Sequence, residues 1–176
     1  MAGGISYHLL EGCRNRSRTA QEELYRMGYE DWMRMLRRYT RDMDEAADVL
    51  NRGMFKVFTK IDGFEGNGIQ FEAWIRTILI REALDHIRSN KAASNHQPIE
   101  MAHEKGRVDP EDPAYILRLL ERLPVTTATV FNLYALEGYS HKEIGNMLNI
   151  SESNSKWHLF SARGKLQEWI RQTASL

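Results

Sequence analysis

Residues 137–171 contain two amphipathic helical segments separated by a very short turn, and this pattern constrains the fold more than any other part of the chain. Ser140 can cap the first segment, Asn149 stands where a left-handed residue is needed, and Ser151 can cap the second. Gly145 is small enough to face the turn. The apolar and small residues that recur at helical spacing are Ile144, Met147 and Leu148, then Ser155, Leu159, Ala162, Leu166 and Ile170. The pattern predicts a helix-turn-helix whose longer second helix would enter the major groove of DNA.

The second of these helices is expected to present a polar and aromatic outer face. Counting about 100° per residue from Leu159 as the inward direction, Asn154, Trp157 and Ser161 point outward. The residues that flank them are Ser153, His158, Phe160 and Lys165. Lys156 and Arg163 lie nearer the inward side, so their long stems would carry the charges outward to phosphates. An ordinary helical hairpin with a solvated face is the alternative, but two large aromatic side chains on the outer face favour contact with a partner.

Composition and charge set the broad class. With 42% hydrophobic and 27% charged residues, the 176-residue chain is typical of a folded protein of one or two small domains. Its 24 basic and 24 acidic side chains cancel, so net charge does not indicate a nucleic-acid partner. The distribution is uneven, because eight arginines accompany four acidic residues between Arg14 and Arg41, whereas six acidic and three basic residues lie between Asp42 and Glu65. This asymmetry predicts separate surfaces for separate partners.

The chain predicts a cytoplasmic protein with no membrane insertion. Cys13 is the single cysteine, the first residues lack the pattern of a signal peptide, and no apolar run approaches the roughly 18 residues of a membrane span.

Three helices are predicted in the first half of the chain. A capping box at Thr19–Glu22 begins a helix that ends at about Tyr39. A second box, Asp42 with Glu45, begins a helix that ends near Lys60, and a third helix begins at about Phe71. They can share one core, which predicts a first domain at residues 1–92.

A polar, flexible linker at residues 93–112 follows, and the second domain is predicted at residues 113–176. Asp112 and Pro113 would open its first helix, Pro124 a second, and Gly138 would end that second helix before the helix-turn-helix. The predicted fold class is therefore all-α, with two small helical domains joined by a flexible linker.

Catalytic chemistry is not indicated. The six histidines are scattered without the partner spacing of a zinc site, and Cys13 has no base placed beside it in the sequence. The glycines of residues 63–68 do not follow a strand, which argues against a phosphate-binding loop. We expect no enzyme activity, no metal and no cofactor.

Two blocks of motifs lie in order across the linker. The first comprises Tyr39-Thr40, residues 44–50 (DEAADVL) and 55–58 (FKVF), then 64–66 (FEG), 71–75 (FEAWI) and 83–88 (ALDHIR). The second comprises Leu123-Pro124, residues 131–134 (FNLY), 137–144 (EGYSHKEI), 148–151 (LNIS) and 156–163. Both blocks resemble the bacterial extracytoplasmic-function (ECF) RNA polymerase sigma factors over the whole chain.

The resemblance implies an alternative sigma factor that binds core RNA polymerase and directs promoter-specific initiation. Its partners would be core RNA polymerase, promoter DNA and an anti-sigma factor. The implied polymerase-binding residues are Asp48, Val49, Leu50 and Arg52. The residues implied to recognise and melt the minus-ten element are Lys56, Phe64, Asn67, Trp74, Arg76, Arg81 and Arg88. Those implied to bind the minus-thirty-five element are Ser153, Asn154, Lys156, Trp157, His158, Ser161, Arg163 and Lys165.

The aromatic residues of the first domain carry separate expectations. We expect Phe71 and Trp74 to belong to the core, whereas Phe64, in a glycine-rich loop, is harder to bury and suits base stacking. Leu50 is expected to face polymerase and Phe55 to pack inside.

The chain departs from the family pattern at a few positions. Asn51-Arg52 stands where Gln-Asp or Gln-Glu is usual, Arg81 replaces Asn, Ser155 replaces Val, and Trp157-His158 stands where small residues and Arg are frequent. The rival hypotheses are a one-component regulator with a ligand-binding or dimerising first domain, and a small helical enzyme.

Overall fold

The computed structural model describes residues 5–93 and 113–174, and the chain divides into two compact units, Met1–Asn95 and His96–Leu176. Both units are built from helices, and neither described range contains a strand. The predicted all-α fold class is confirmed. Residues 94–112 of the predicted linker, including the Asp112 cap, lie outside the described residues, whereas Ala93 is helical.

Residues 5–93 of the first unit form four α-helices rather than the three predicted. They are α1 (Tyr7–Arg14), α2 (Arg18–Leu36), α3 (Met43–Lys60) and α4 (Gly68–Ala93), with a 3-10 turn at Ile61–Gly63 before α4. The sequence reading missed α1, which Ser6 caps by accepting a hydrogen bond from the Leu9 N–H, and which buries Leu9, Leu10 and Cys13. Burial and the nearby Glu23 carboxylate raise the pKa of the Cys13 thiol to about 11.

The helix caps follow local sequence signals. Ser17 rather than Thr19 caps α2, which ends at Leu36 rather than Tyr39. Asp42 caps α3 as predicted, accepting a 2.8 Å hydrogen bond from the Glu45 N–H, and the Glu45 carboxylate reaches back to the backbone N–H of Arg41.

The core of the first unit lies between α2, α3 and α4. Its largest fully buried side chains include Trp32, Leu36, Leu50, Phe71 and Leu79. A Cβ on Gly53 would lie 2.4 Å from Leu79 Cδ2, so glycine at this position lets α3 and α4 pack closely without displacing the Leu79 side chain. The expectation that Phe55 packs inside is wrong, because its side chain is 72% exposed.

The second unit comprises α5 (Pro113–Glu121), α6 (Val125–Phe131), α7 (His141–Leu148) and α8 (Glu152–Ala174). α6 continues into a π-helical turn, Asn132–Leu136, and Gly138 with φ of 78° ends it. The buried residues that pack together around α5 and α8 are Tyr115, Leu119, Leu120, Leu123, Ala162 and Leu166. The apolar stripe of α8 stops before Ile170, which is exposed, contrary to prediction.

Candidate nucleic-acid interface

The corner between α7 and α8 has the geometry that the sequence predicted. Ser140 and Glu143 form a capping box at the start of α7, and Asn149 ends it in the left-handed conformation with φ of 54°. Ser151 Oγ accepts a 3.1 Å hydrogen bond from the Asn154 N–H at the start of α8. A Cβ on Gly145 would lie 2.8 Å from the carbonyl oxygen of Ile150. Gly145 therefore lets the chain turn tightly across α7.

A polar contact under α8 fixes its position on α7. Ser155 is fully buried, and its Oγ lies 2.9 Å from Nδ1 of His141. The His141 ring stacks on Tyr134, with ring centroids 4.5 Å apart. Leu159 and Ala162 bury the next turns of the same face. Because the inner face of α8 is packed in this way, the opposite face of α8 is exposed to solvent.

The outer face of α8 combines exposed aromatic and polar side chains. Trp157 is 61% exposed and Phe160 is 78% exposed. The other predicted minus-thirty-five residues that are exposed are Ser153, Asn154, Lys156, Arg163 and Lys165, whereas Ser161 is partly buried. Phe160, which the helical pattern places beside the outward residues as one of two outer aromatic side chains, is more exposed than Trp157.

His158 is partly buried against α6. Its Nδ1 lies 3.0 Å from Oγ1 of Thr127, and burial lowers the pKa of the imidazole, which favours the neutral ring. The indole of Trp157 meets the His158 ring edge-on, with centroids 5.0 Å apart. The helical pattern placed His158 beside the outward residues but contained no sign of its partner on α6.

The two cations nearest the inward side of α8 already have intramolecular contacts. Lys156 Nζ lies 2.7 Å from a carboxylate oxygen of Glu152, and both side chains are exposed. The Arg163 guanidinium lies over the Tyr134 ring, 5.8 Å from its centroid. Exposed pairs of this kind contribute at most about 1 kcal/mol, so both cations remain able to turn to phosphates.

In the first unit, Phe64 is not the exposed stacking face that was expected. It is only 7% exposed, because its ring packs on Phe71 and Trp74 with centroids 5.1 and 5.2 Å away. Phe71 is fully buried, as expected, and Trp74 is partly buried. Arg14, on the unpredicted α1, donates a hydrogen bond to the Phe64 carbonyl oxygen. Neighbouring side chains therefore enclose Phe64 despite its glycine-rich surroundings.

Asn67 serves as the cap of α4. Its Oδ1 accepts a 3.1 Å hydrogen bond from the Gln70 N–H, and Gln70 Oε1 accepts one from the Asn67 N–H. This role explains why an asparagine stands at the end of the loop, although Asn67 stays exposed.

A buried carboxylate joins α3 to α4. Glu82 accepts a 2.8 Å hydrogen bond from Nε of Arg52 and a second from the Lys56 ammonium, while both partners are partly exposed. Burial opposes ionisation, yet the two cations prevail and hold the pKa of Glu82 below its ordinary value. Sequence reasoning missed Glu82, since a glutamate between apolar positions on a helix is usually solvated.

The remaining predicted minus-ten residues lie along α4. Arg81 and Arg88 are exposed, with Arg88 paired to Asp85 at 2.6 Å, and Arg76 is partly buried.

The predicted polymerase-binding residues divide between two faces of α3. Val49 and Leu50 are fully buried, so the expectation that Leu50 faces a partner is wrong, and Val49 cannot offer its side chain either. Asp48 and Arg52 are exposed. Phe55 shares their outward side, a position that the sequence reading had assigned to the core.

Comparison with known proteins identifies the family. Residues 24–93 match the family model Sigma-70 region 2, and residues 114–166 match Sigma-70, region 4. ECF RNA polymerase sigma factor SigM of Bacillus subtilis is 25% identical over 152 residues, covering 83% of this chain and 92% of that protein. The chain belongs to the ECF sigma factors.

Another sigma factor and two solved structures extend the likeness. SigM of Mycobacterium tuberculosis is 26% identical over 153 residues, covering 85% of this sigma factor and 76% of that protein. Among solved structures, CnrH in complex with the cytosolic domain of CnrY matches with a TM-score of 0.56 and 18% identity, covering 95% of this chain and 97% of that one. The Bartonella quintana sigma factor RpoE, in complex with the anti-sigma factor NepR, matches with a TM-score of 0.58 and 20% identity over 85% and 96% of the two chains. Both structures share the fold.

Within the described residues, no group of His, Cys, Asp and Glu side chains is arranged to hold a metal ion. No described helix combines the length and apolarity needed to cross a membrane. The similar proteins are initiation factors rather than enzymes.

Proposed function

We propose that this chain is an alternative sigma factor that binds core RNA polymerase, recognises minus-thirty-five and minus-ten promoter elements, and helps to melt DNA. The observation that carries the proposal is the helix-turn-helix of the second unit, in which a buried face fixes α8 and an aromatic and polar face is left exposed. The match to Sigma-70 regions 2 and 4 supports both halves of the assignment.

We assign minus-thirty-five recognition to residues 113–176 and polymerase binding with minus-ten recognition to residues 1–92. In the second unit, Asn154 and Trp157 stand early on α8, the part of a recognition helix that reaches base edges. Lys156 and Arg163 would bind phosphates, which fixes register without reading sequence.

The minus-ten function is assigned to the exposed cations of α4. Arg81 and Arg88 lie on one helix with Trp74, so a melted strand could follow α4 with its phosphates on the guanidinium groups. Phe64 supports this surface from beneath through its ring contacts with Trp74 and Phe71.

The outward face of α3 is the proposed polymerase-docking face, defined here by Asp48, Asn51, Arg52 and Phe55. All four side chains are exposed. An exposed phenylalanine ringed by polar groups is typical of the anchor residues of protein interfaces. Glu82 holds Arg52 from the inner side, which limits the conformational freedom that docking would remove.

We further propose that an anti-sigma factor regulates this chain in the cytoplasm. One similar solved structure contains CnrH with the cytosolic domain of CnrY, and the other contains the sigma factor RpoE with the anti-sigma factor NepR. An anti-sigma factor bound over the polymerase-docking face would keep this chain from polymerase until it is released.

Transcription of a genomic promoter library by purified core polymerase, with and without this protein, tests the proposal. We expect new transcripts from start sites that share two sequence elements, and co-purification of the protein with core enzyme. A one-component regulator would instead bind an operator without associating with core polymerase, and this result would overturn the assignment.

A further inference from the structure

The outer face of α8 is divided lengthwise into two strips. Counting about 100° per residue from the buried Leu159, Ser153, Trp157, Phe160 and Gly164 fall on one side. We call these four residues the aromatic strip. The residues on the other side are polar: Asn154, His158, Ser161 and Lys165. A recognition helix with this division would meet apolar groups along one edge and hydrogen-bonding groups along the other.

Packing positions the aromatic strip before any partner arrives. Trp157 rests edge-on against His158, which in turn lies 3.0 Å from Thr127 on α6. The indole is therefore supported by a second helix and loses little freedom on binding. Gly164 leaves open space beside the rings, since a Cβ there would have no heavy atom within 4 Å.

Cations border the aromatic strip on its inner side. Lys156 and Arg163 lie between the strip and the buried face of α8. In the major groove, methyl groups are flanked by phosphates. A surface of aromatic rings beside lysine and arginine therefore complements the major groove better than it complements an apolar protein surface. In the major groove the apolar group on a base edge is the C5 methyl of thymine.

We propose that Trp157 and Phe160 make this sigma factor select thymine at minus-thirty-five positions by packing on thymine C5 methyl groups. The proposal rests on the promoter-binding function and names what the recognition helix reads along one of its edges. Asn154 and Lys165, the exposed polar residues on the other side of α8, would read hydrogen-bonding groups of the neighbouring bases.

The test removes the methyl groups singly. A promoter selected by the holoenzyme from a library randomised across the minus-thirty-five element is resynthesised with deoxyuridine in place of each thymine in turn. Wild-type holoenzyme should lose about fourfold in promoter affinity at one or two of these positions, the factor given by roughly 0.8 kcal/mol for one buried methyl-sized group. Trp157→Ala should be insensitive to deoxyuridine at one sensitive position and Phe160→Ala at a neighbouring one.

Ile170→Ala is the matched control, because Ile170 is an exposed apolar residue of α8 outside the aromatic strip. This variant should keep the wild-type response to every deoxyuridine. Thermal melts should place all three variants within the error of wild type, since the truncated side chains are exposed.

The outcomes separate this inference from the proposed function. If the holoenzyme selects elements without thymine, or if Trp157→Ala and Phe160→Ala respond to deoxyuridine as wild type does, the methyl contact is wrong while promoter-specific initiation stands. If the protein gives no promoter-specific transcription with core polymerase, the proposed function itself fails.

Discussion

Leu50 and Phe55 lie on the same helix, and truncating each should separate stability from polymerase binding. Leu50 is fully buried, so Leu50→Ala removes apolar contacts and leaves a cavity, at a cost of about 2–5 kcal/mol in the free energy of unfolding. For a unit of this size, that loss lowers the melting temperature by roughly 8 °C or more. Phe55 is 72% exposed, so Phe55→Ala should change the free energy of unfolding by less than about 0.5 kcal/mol.

The affinity for core polymerase should fall more in Phe55→Ala than in Leu50→Ala, the opposite of the order for stability. If Phe55 anchors the docking face, Phe55→Ala weakens core binding about tenfold, which corresponds to roughly 1.4 kcal/mol. Ile69→Ala is the control, because Ile69 is as exposed as Phe55 but lies on α4. Thermal melts and equilibrium binding to labelled core enzyme measure the two effects. Equal destabilisation by Leu50→Ala and Phe55→Ala would refute the burial argument, and unchanged core affinity of Phe55→Ala would refute the docking face.

Five further variants test the packing of the two units and the recognition helix. Glu82→Gln should lower the free energy of unfolding at neutral pH by about 1–2 kcal/mol, a modest loss because the cationic partners of Glu82 are partly exposed. The pKa of Glu82 is held below 4.5, so the ionised carboxylate stabilises the fold above that pH. In urea unfolding, the stability difference between the variant and wild type should therefore close as pH falls below 4.5. Gly145→Ala should lower the melting temperature of the second unit because its Cβ meets a backbone oxygen at 2.8 Å, whereas Gly164→Ala, which meets nothing within 4 Å, should not. Asn154→Ala should change the preference among minus-thirty-five sequences by about 1–3 kcal/mol. Lys156→Ala should instead weaken the affinity for every sequence alike and reduce the slope of affinity against salt concentration by about one. Binding to a panel of minus-thirty-five DNA variants at two salt concentrations measures both effects.

Local signals predicted the parts of the fold that depend on neighbouring residues. Ser140, Asn149 and Ser151 act within three or four positions of themselves, so the corner of the helix-turn-helix could be located from the sequence. Asp42 and Glu45 marked the start of α3 for the same reason. The outward-facing residues of α8 could be located by counting about 100° per residue from Leu159.

Contacts between distant residues could not be predicted in this way. Phe64 sits among glycines, yet residues of α4 bury its ring, and α1 was too short to show a clear apolar period. On α3, motif resemblance placed Leu50 toward polymerase and the apolar pattern placed Phe55 inward, whereas the packed structure buries Leu50 and exposes Phe55. Glu82 and its two cations come from different helices, so only the folded chain reveals their cluster.

The most direct test of promoter recognition by two units on one chain compares two affinities for the same DNA. One is the affinity of the free protein, and the other is the affinity of its complex with core polymerase. The DNA carries both elements of a selected promoter, and a duplex with both elements scrambled is the control. We predict little sequence-specific binding by the free protein, because each unit is small, and strong specific binding by the complex, because polymerase would hold both units at the spacing of the two elements and raise their effective concentration. Equally tight, sequence-specific binding by the free protein would contradict this mechanism.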